Sequence, residues 1–349
     1  MAETPPGVDL DRLRPWFAAN VEGATDAPLH ASLISGGRSN LTYSIGDETH
    51  EWVLRRPPLG HVLPTAHDMA REHTVLDALA GTDVPVPRTL AFCSDESVND
   101  APFYVMDKVD GVILRTPAEL ARLSADEARR CSEALIDVLV AIHAVDYKAV
   151  GLGEFGHPDG YVERQVRRWG EQWERSKVND IPAIDELARR LRAALPESPA
   201  PTIVHGDYRL DNTMLAPDDV GRIIAVLDWE MATLGDPLSD LGLFLVYWGR
   251  DQGNLGGAAQ SMGPSSGFLT RDEVAEHYAN ASGRDVSQID FYEMLASYKL
   301  AIILAGIHAR YVMGKTVGEG FEHIGAMVEA LADSALDAGS RSSISALRG

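Results

Sequence analysis

The most informative stretch of the 349-residue chain is His205-Gly206-Asp207-Tyr208-Arg209-Leu210-Asp211-Asn212, followed sixteen residues after Asn212 by Asp228 in Leu227-Asp228-Trp229-Glu230. These residue types at this spacing suit phosphoryl transfer. Asp207 can accept a hydrogen bond from an attacking hydroxyl and hold it in line with a γ-phosphorus, while Asn212 and Asp228 present hard oxygens to Mg2+ bridging the phosphates. The plainer reading makes Asp207 a turn residue and Asp228 a strand-end cap, and it needs three matched positions to coincide. A metal-dependent phosphohydrolase could use Asp207, Asp211, Asn212 and Asp228, but it would normally take more metal ligands, and His205 is the only histidine nearby.

Such groups need a fixed frame. Thr202 to His205 and Ile223 to Leu227 read as short strands flanking the polar loop, and a polar loop held by strands in a helical region is a common seat of chemistry. Upstream, Leu29 to Ile34, Asn40 to Ile45 and Glu51 to Arg55 form an antiparallel meander punctuated by Ser35-Gly36-Gly37 and Gly46-Asp47. Thr65 offers a helix N-cap, Met69, Glu72, Leu76 and Leu79 follow at helical spacing, and Gly81 closes the helix. Strands at Arg88 to Cys93 and Phe103 to Lys108 end the small region. Beyond it, Ser124 with Glu127, Thr270 with Glu273 and Ser287 with Asp290 read as helix caps, and Asp236-Pro237 reads as a helix start. Gly339 to Gly349 reads as a frayed tail.

With 45% hydrophobic and 24% charged residues, the chain is globular rather than disordered or fibrous. Its 31 basic and 52 acidic residues give a formal charge of −21, which disfavours nucleic acid and anionic membranes as partners. Cys93 and Cys131, far apart in apolar stretches, read as core thiols in a reducing cytoplasm. The amino terminus lacks a signal-peptide pattern, and the most apolar runs, Ile136 to Val145 and Leu300 to Ala309, are too short to span a bilayer, which needs about 20 residues.

The Asp207, Asn212 and Asp228 pattern matches kinase catalytic and metal-binding loops. With His205-Gly206-Asp207 and Asp228-Trp229-Glu230, the segments Ser35-Gly36-Gly37-Arg38-Ser39-Asn40, Val53-Leu54-Arg55-Arg56-Pro57-Pro58, Ala66-His67-Asp68-Met69-Ala70-Arg71-Glu72 and Gly235-Asp236-Pro237-Leu238-Ser239-Asp240-Leu241 carry a wider likeness. The chain resembles the aminoglycoside phosphotransferase family, the choline/aminoglycoside kinase-like enzymes of protein-kinase-like fold, and within it the branch also found fused to acyl-CoA dehydrogenases. The resemblance implies an α+β, two-lobed fold: a small antiparallel-sheet N-lobe over residues 1–109 and a larger helical C-lobe over 110–349. It implies ATP and Mg2+ as cofactors, with Gly36, Gly37 and Ser39 over the phosphates and adenine against the Met106-to-Val109 connection. By the same resemblance, Arg55 clamps phosphates and pairs with Glu72, His205 orients the loop, and Asp240 braces it.

Arg55 stands where most kinases carry Lys, which keeps open a nucleotide-binding pseudokinase or sensor. A protein kinase fits less well, because the stretch after Asp228 passes almost at once into the Asp236-Pro237 helix start. The acceptor is a small hydroxyl compound: a polycationic aminoglycoside drawn by the acidic chain, or a hydroxyacyl-CoA held by a basic cluster such as Arg164, Arg167 and Arg168. Tyr161, Gln165, Trp169 and Trp173 recur at spacing of four on a predicted helix, as core or as ligand box. Trp229, Trp248, Arg310 and Tyr311 fall in the same lobe. The oligomeric state is open.

Overall fold

The computed structural model describes residues 4–35, 40–60, 67–248, 267–316 and 320–349. Its elements are, in order, α1 (Leu10–Asn20), β1 (His30–Ser35), β2 (Leu41–Gly46), β3 (Glu51–Arg56), α2 (Met69–Leu79), β4 (Thr89–Cys93), α3 (Glu96–Asn99), β5 (Phe103–Asp107), α4 (Pro117–Leu120), α5 (Ala125–Ala144), α6 (Tyr161–Ser176), α7 (Pro182–Ala193), β6 (Thr202–Val204), β7 (Thr213–Ala216), β8 (Asp219–Val226), β9 (Thr233–Gly235), α8 (Leu238–Tyr247), α9 (Arg271–Ser282), α10 (Ile289–Val312) and α11 (Ile324–Ser340).

The first five strands make one antiparallel sheet in the order β1-β2-β3-β5-β4. Because side chains alternate across a pleated strand, each face of this sheet serves a different core. Trp52 and Leu54 of β3, with Phe103 and Val105 of β5, pack under Leu13 and Phe17 of α1. Val53, Tyr104 and Met106 face the opposite side, with Leu76 and Leu79 of α2. The same alternation separates two adjacent arginines. Arg55 shares the face of Val53, and Arg56 turns to the α1 side, where its guanidinium donates to the carbonyls of Gly7 (2.6 Å) and Asn99 (3.1 Å).

Helix α2 starts from Asp68, whose carboxylate accepts from the Arg71 amide; Thr65, the cap read from the sequence, lies outside the described residues. Gly81 follows the helix at φ +83°, as a C′ residue does. The capping boxes at Ser124 with Glu127 and Thr270 with Glu273 both form. Ser287 and Asp290 do not cap α10. Ser287 is drawn to Asp285, and Asp290 instead accepts from the Ser342 hydroxyl at 2.6 Å.

That last bond is part of a correction. Residues 339–349, expected to fray, are packed: Gly339 lies within α11, Leu347 is fully buried, and its carbonyl accepts from Arg190 of α7 at 2.8 Å. The small polar composition hid one apolar anchor and two side-chain ties.

The two strands read around the polar loop do not pair with each other. β6 pairs with β9, and β7 pairs with β8; β7 and β9, of four and three residues, are too short to leave a pattern. The central helix of the larger lobe is α10, with Phe291, Tyr292, Tyr298 and Ala301 among its buried residues. Both cysteines are free and buried. Among the described residues no helix is long and apolar enough to cross a membrane.

Candidate active site

The loop between β6 and β7 is fastened on all sides. His205 is fully buried; its amide and that of Gly206 donate to the Asp240 carboxylate at 2.7 and 2.8 Å, and its Nε2 lies 3.0 Å from the Leu227 carbonyl. Burial pushes the Asp240 carboxyl up, but the hydrogen bond and charge of His143 with the other contacts outweigh it and hold the group below the usual carboxylate range. Gly206 has φ +85°, and a Cβ there would come within 2.8 Å of Met231, so the tight passage of the two chains requires glycine. Tyr208 buries its ring and donates to the Leu135 carbonyl of α5 at 2.7 Å.

On this base Asp207 and Asn212 meet. The Asn212 amide nitrogen donates to the Asp207 carbonyl at 2.8 Å and to its carboxylate at 3.0 Å. Asn212 Oδ1 accepts no hydrogen bond among the described residues, which leaves it as a hard oxygen donor. The Leu227 amide donates to the Asn212 carbonyl at 2.8 Å, tying this loop to the segment that carries Asp228. Asp228 itself is held at φ +65°, ψ +59°, a left-handed conformation that non-glycine residues seldom adopt and that aims its side chain away from β8 into the cleft.

Arg55 reaches Asp228 from the other lobe. Its Nε donates to Glu72 at 3.0 Å, one terminal nitrogen to Thr42 Oγ1 at 3.2 Å, and the other to Asp228 at 2.5 Å. The side chains of Arg55 and Glu72 are only 12% and 2% exposed, so this is a shielded network and not the surface cation that the Arg55-Arg56 pair could have been. Burial pushes the Glu72 carboxyl up to about 7, with the Arg55 charge opposing it. Asn40 crosses to the same cluster, donating to Glu230 at 3.1 Å and lying 3.4 Å from Glu72.

These groups line one end of a cavity of about 550 Å3 between the lobes. Val53, Leu76, Tyr104, Met106, Val109 and Val226 make its apolar part, and Arg55, Glu72, Asp211, Asn212 and Asp228 its polar end. Asp211 is mostly buried here; burial raises its carboxyl, and Arg209 at 3.7 Å opposes the shift. Gly36, Gly37 and Ser39 lie outside the described residues. Asn212 and Asp228 supply two oxygen ligands, in keeping with Mg2+, which keeps waters and substrate oxygens for the rest. Among the described residues no cluster of three or more His, Cys, Asp or Glu forms a closed metal cage.

A second cavity, of about 840 Å3, opens beside Gly206 and Glu230 between α6 and α10. The stripe on α6 divides: Trp173 is buried in the core, whereas Tyr161, itself largely buried, Gln165 and Trp169 line this space. Arg164, Arg168 and Arg310 also line it; Arg167 does not, and lies 3.8 Å from Glu171. Trp229 and Trp248 are core residues, the first packed 4.6 Å from the His205 ring. Sequence reading passed over Lys299, whose Nζ donates to the Gly206 carbonyl at 2.9 Å; a single lysine inside the apolar run of α10 was the available signal.

The chain has counterparts among known proteins. A Gallus gallus protein named acyl-CoA dehydrogenase family member 11 is 34% identical over 345 residues, 97% of this chain and 44% of that protein. The chain thus spans less than half of that relative's length. A crystal structure from Ralstonia eutropha JMP134, named as a candidate aminoglycoside phosphotransferase, is 35% identical, covers 95% of this chain and 98% of its own, and superposes with a TM-score of 0.84. A ternary complex of the aminoglycoside phosphotransferase APH(4)-Ia with ADP and hygromycin B shares the fold at 16% identity and a TM-score of 0.62, covering 95% and 98% of the two chains. Residues 30–292 match the family model described as "Phosphotransferase enzyme family", and they hold both loops, the Arg55–Glu72 pair and the cavity between the lobes; the chain is a member of that phosphotransferase family, with a kinase-like fold.

Proposed function

We propose that the protein transfers the γ-phosphoryl group of ATP to a hydroxyl of a small molecule, with the lobes divided at residues 109 and 110. The observation that carries this reading is the Asn212 side chain bonded to the Asp207 carboxylate, in a loop tied to the Asp228 segment, which Arg55 meets from across the cleft. Asp207 receives the hydrogen bond of the acceptor hydroxyl and takes its proton as the oxygen attacks the γ-phosphorus. Asn212 keeps that carboxylate oriented and, with Asp228, would hold Mg2+, which when bound neutralises charge on the phosphates. Arg55 exchanges its contact with Asp228 for the phosphates and keeps Glu72, a swap its forked guanidinium can make. Met106 and Val109 flank the adenine, and Gly36, Gly37 and Ser39 cover the phosphates.

One observation favours a second reading. At 2.5 Å from Asp228, Arg55 occupies a proposed metal ligand, as a nucleotide-binding pseudokinase or sensor could tolerate. For the acceptor, the hygromycin B of the APH(4)-Ia complex suggests an aminoglycoside, and the acyl-CoA dehydrogenase relatives suggest a hydroxyacyl-CoA. Isothermal titration with ATP and GTP, with and without Mg2+, followed by a transfer screen over both acceptor classes, tests the proposal. Mg2+-dependent nucleotide binding with transfer supports it, binding without any single-turnover transfer supports the sensor, and no nucleotide binding refutes both.

A further inference from the structure

The cavity beside Gly206 has a charge opposite to that of the molecule. Its basic side chains are Arg71, Arg164, Arg168, Arg175, Lys299 and Arg310, against the three carboxylates of Glu154, Glu171 and Glu230, in a chain of net charge −21. Three of these cations are engaged locally. Arg71 donates to the Ala232 carbonyl at 3.0 Å and lies 3.8 Å over the Phe155 ring, Arg164 is hydrogen-bonded to the carbonyls of His157 and Asp159, and Arg175 meets Gln172 at 3.4 Å. Lys299, Arg168 and Arg310 have no carboxylate within 4.0 Å among the described residues.

Lys299 is the informative one. It projects from α10, is partly buried, and spends one N–H on the Gly206 carbonyl, one residue from Asp207. Its ammonium lies 5.9 Å from the Trp169 ring centroid. Burial pulls its pKa below the usual lysine value, and the charges of Asp207 and Asp240 only partly offset this. A shielded ammonium without a close counter-ion is unfavourable, and two of its N–H donors are left to a ligand. Lys299 does not line the cavity between the lobes, so nucleotide bound there does not explain it.

We infer that Lys299, together with Arg168 and Arg310, binds an anionic group of the acceptor. The molecule phosphorylated here carries a carboxylate or phosphate besides its hydroxyl, and three cations without a carboxylate partner among the described residues disfavour a polycation. The hydroxyl part of this inference rests on the phosphotransferase reading above; the anion site does not.

The test is isothermal titration of the full chain, without nucleotide, using three probes: 3-hydroxybutyrate, its CoA thioester, and kanamycin. At least one anion binds, and Lys299→Met weakens it tenfold or more while Lys299→Arg restores part of the loss. Mg·ATP affinity stays at the wild-type value in both variants, whereas a lysine that only held the Gly206 loop would change nucleotide and anion binding together. Binding of the free acid assigns a carboxylate; binding of the thioester alone assigns the CoA phosphates. Should Lys299→Met fail to fold, the double variant Arg168→Gln/Arg310→Gln, on exposed positions, provides the same comparison. Preference for kanamycin, binding of neither anion, or an unchanged affinity in the variants overturns the inference. Mg·ATP titrated into the same samples separates the failures: anion binding without nucleotide binding sinks the kinase reading alone, and the reverse sinks the anion site alone.

Discussion

The two cavities, one lined by Asn212 and the other by Gly206, manage charge in opposite ways. In the cavity between the lobes, Arg55 is already neutralised by Glu72 and Asp228, so the cation is held in place before any ligand arrives. In the cavity beside Gly206, Lys299, Arg168 and Arg310 are left without carboxylate partners among the described residues. A pre-paired site is preorganised, but a ligand must displace one of its internal contacts; an unpaired site gains its counter-charge only from the ligand. The nucleotide side is therefore expected to be tolerant of its exact ligand, since every nucleotide brings the same phosphates, and the acceptor side to discriminate by charge.

The strongest way to break this comparison is at Asp207, in the loop whose Gly206 lines one cavity and whose Asn212 lines the other. Asp207→Asn is expected to lower transfer about a thousandfold while leaving Mg·ATP binding largely intact; normal turnover in a single-turnover assay would remove Asp207 from the mechanism. Next comes the internal pairing. Arg55→Met leaves Glu72 buried without its cation, and thermal melts should show a loss of up to about 3–5 kcal/mol, alongside weaker Mg·ATP binding. Its pH dependence is a sharper test. The wild-type carboxyl is already raised to about 7 by burial and is raised further without Arg55, so the two proteins lose stability in parallel up to about pH 7 and the variant's extra penalty grows as pH rises above it. A pH-independent penalty would mean that Glu72 is solvated in the variant.

On the acceptor side the effects are smaller. Arg168 is exposed, so Arg168→Gln should raise the acceptor KM by about fivefold or less with kcat and nucleotide KM unchanged; a change in nucleotide KM would show the cavities to be one site. The smallest effect concerns the brace under the loop. Burial holds the His143 imidazole below its usual pKa of 6.5, despite the hydrogen bond to Asp240. The unfolded chain therefore binds the proton first, and stability present above pH 6.5 is lost as pH falls below it. His143→Gln should flatten that acid limb in melts taken across the range.

Much of the nucleotide side was legible from the chain alone. Asp207, Asn212 and Asp228 lie on two local segments whose spacing is fixed by one intervening hairpin, and Arg55 and Glu72 sit at a strand end and on the next helix. Chemistry concentrated in short segments survives as a motif, and all five positions line or adjoin the cavity between the lobes. Capping boxes at Ser124 and Thr270 were readable for the same reason, since each is complete within four residues. The cap read at Ser287 fails because a competing carboxylate, Asp285, stands two residues upstream, while the partners that hold Asp290 and the tail, Ser342 and Arg190, are distant in sequence and depend on what packs nearby.

The sequence by itself determined which residues could carry phosphoryl transfer, because the reactive types and their spacing are local properties of the chain. Only the tertiary structure decided that Arg55 turns into the cleft while Arg56 turns away, that Asp240 of α8 grips the Gly206 loop, and that Lys299 emerges from an apolar helix beside Asp207. Those outcomes depend on the pleat of a strand and on the packing of helices distant in sequence. Burial and the sign of a local field belong to the assembled surface, not to the composition, and here the composition pointed the other way.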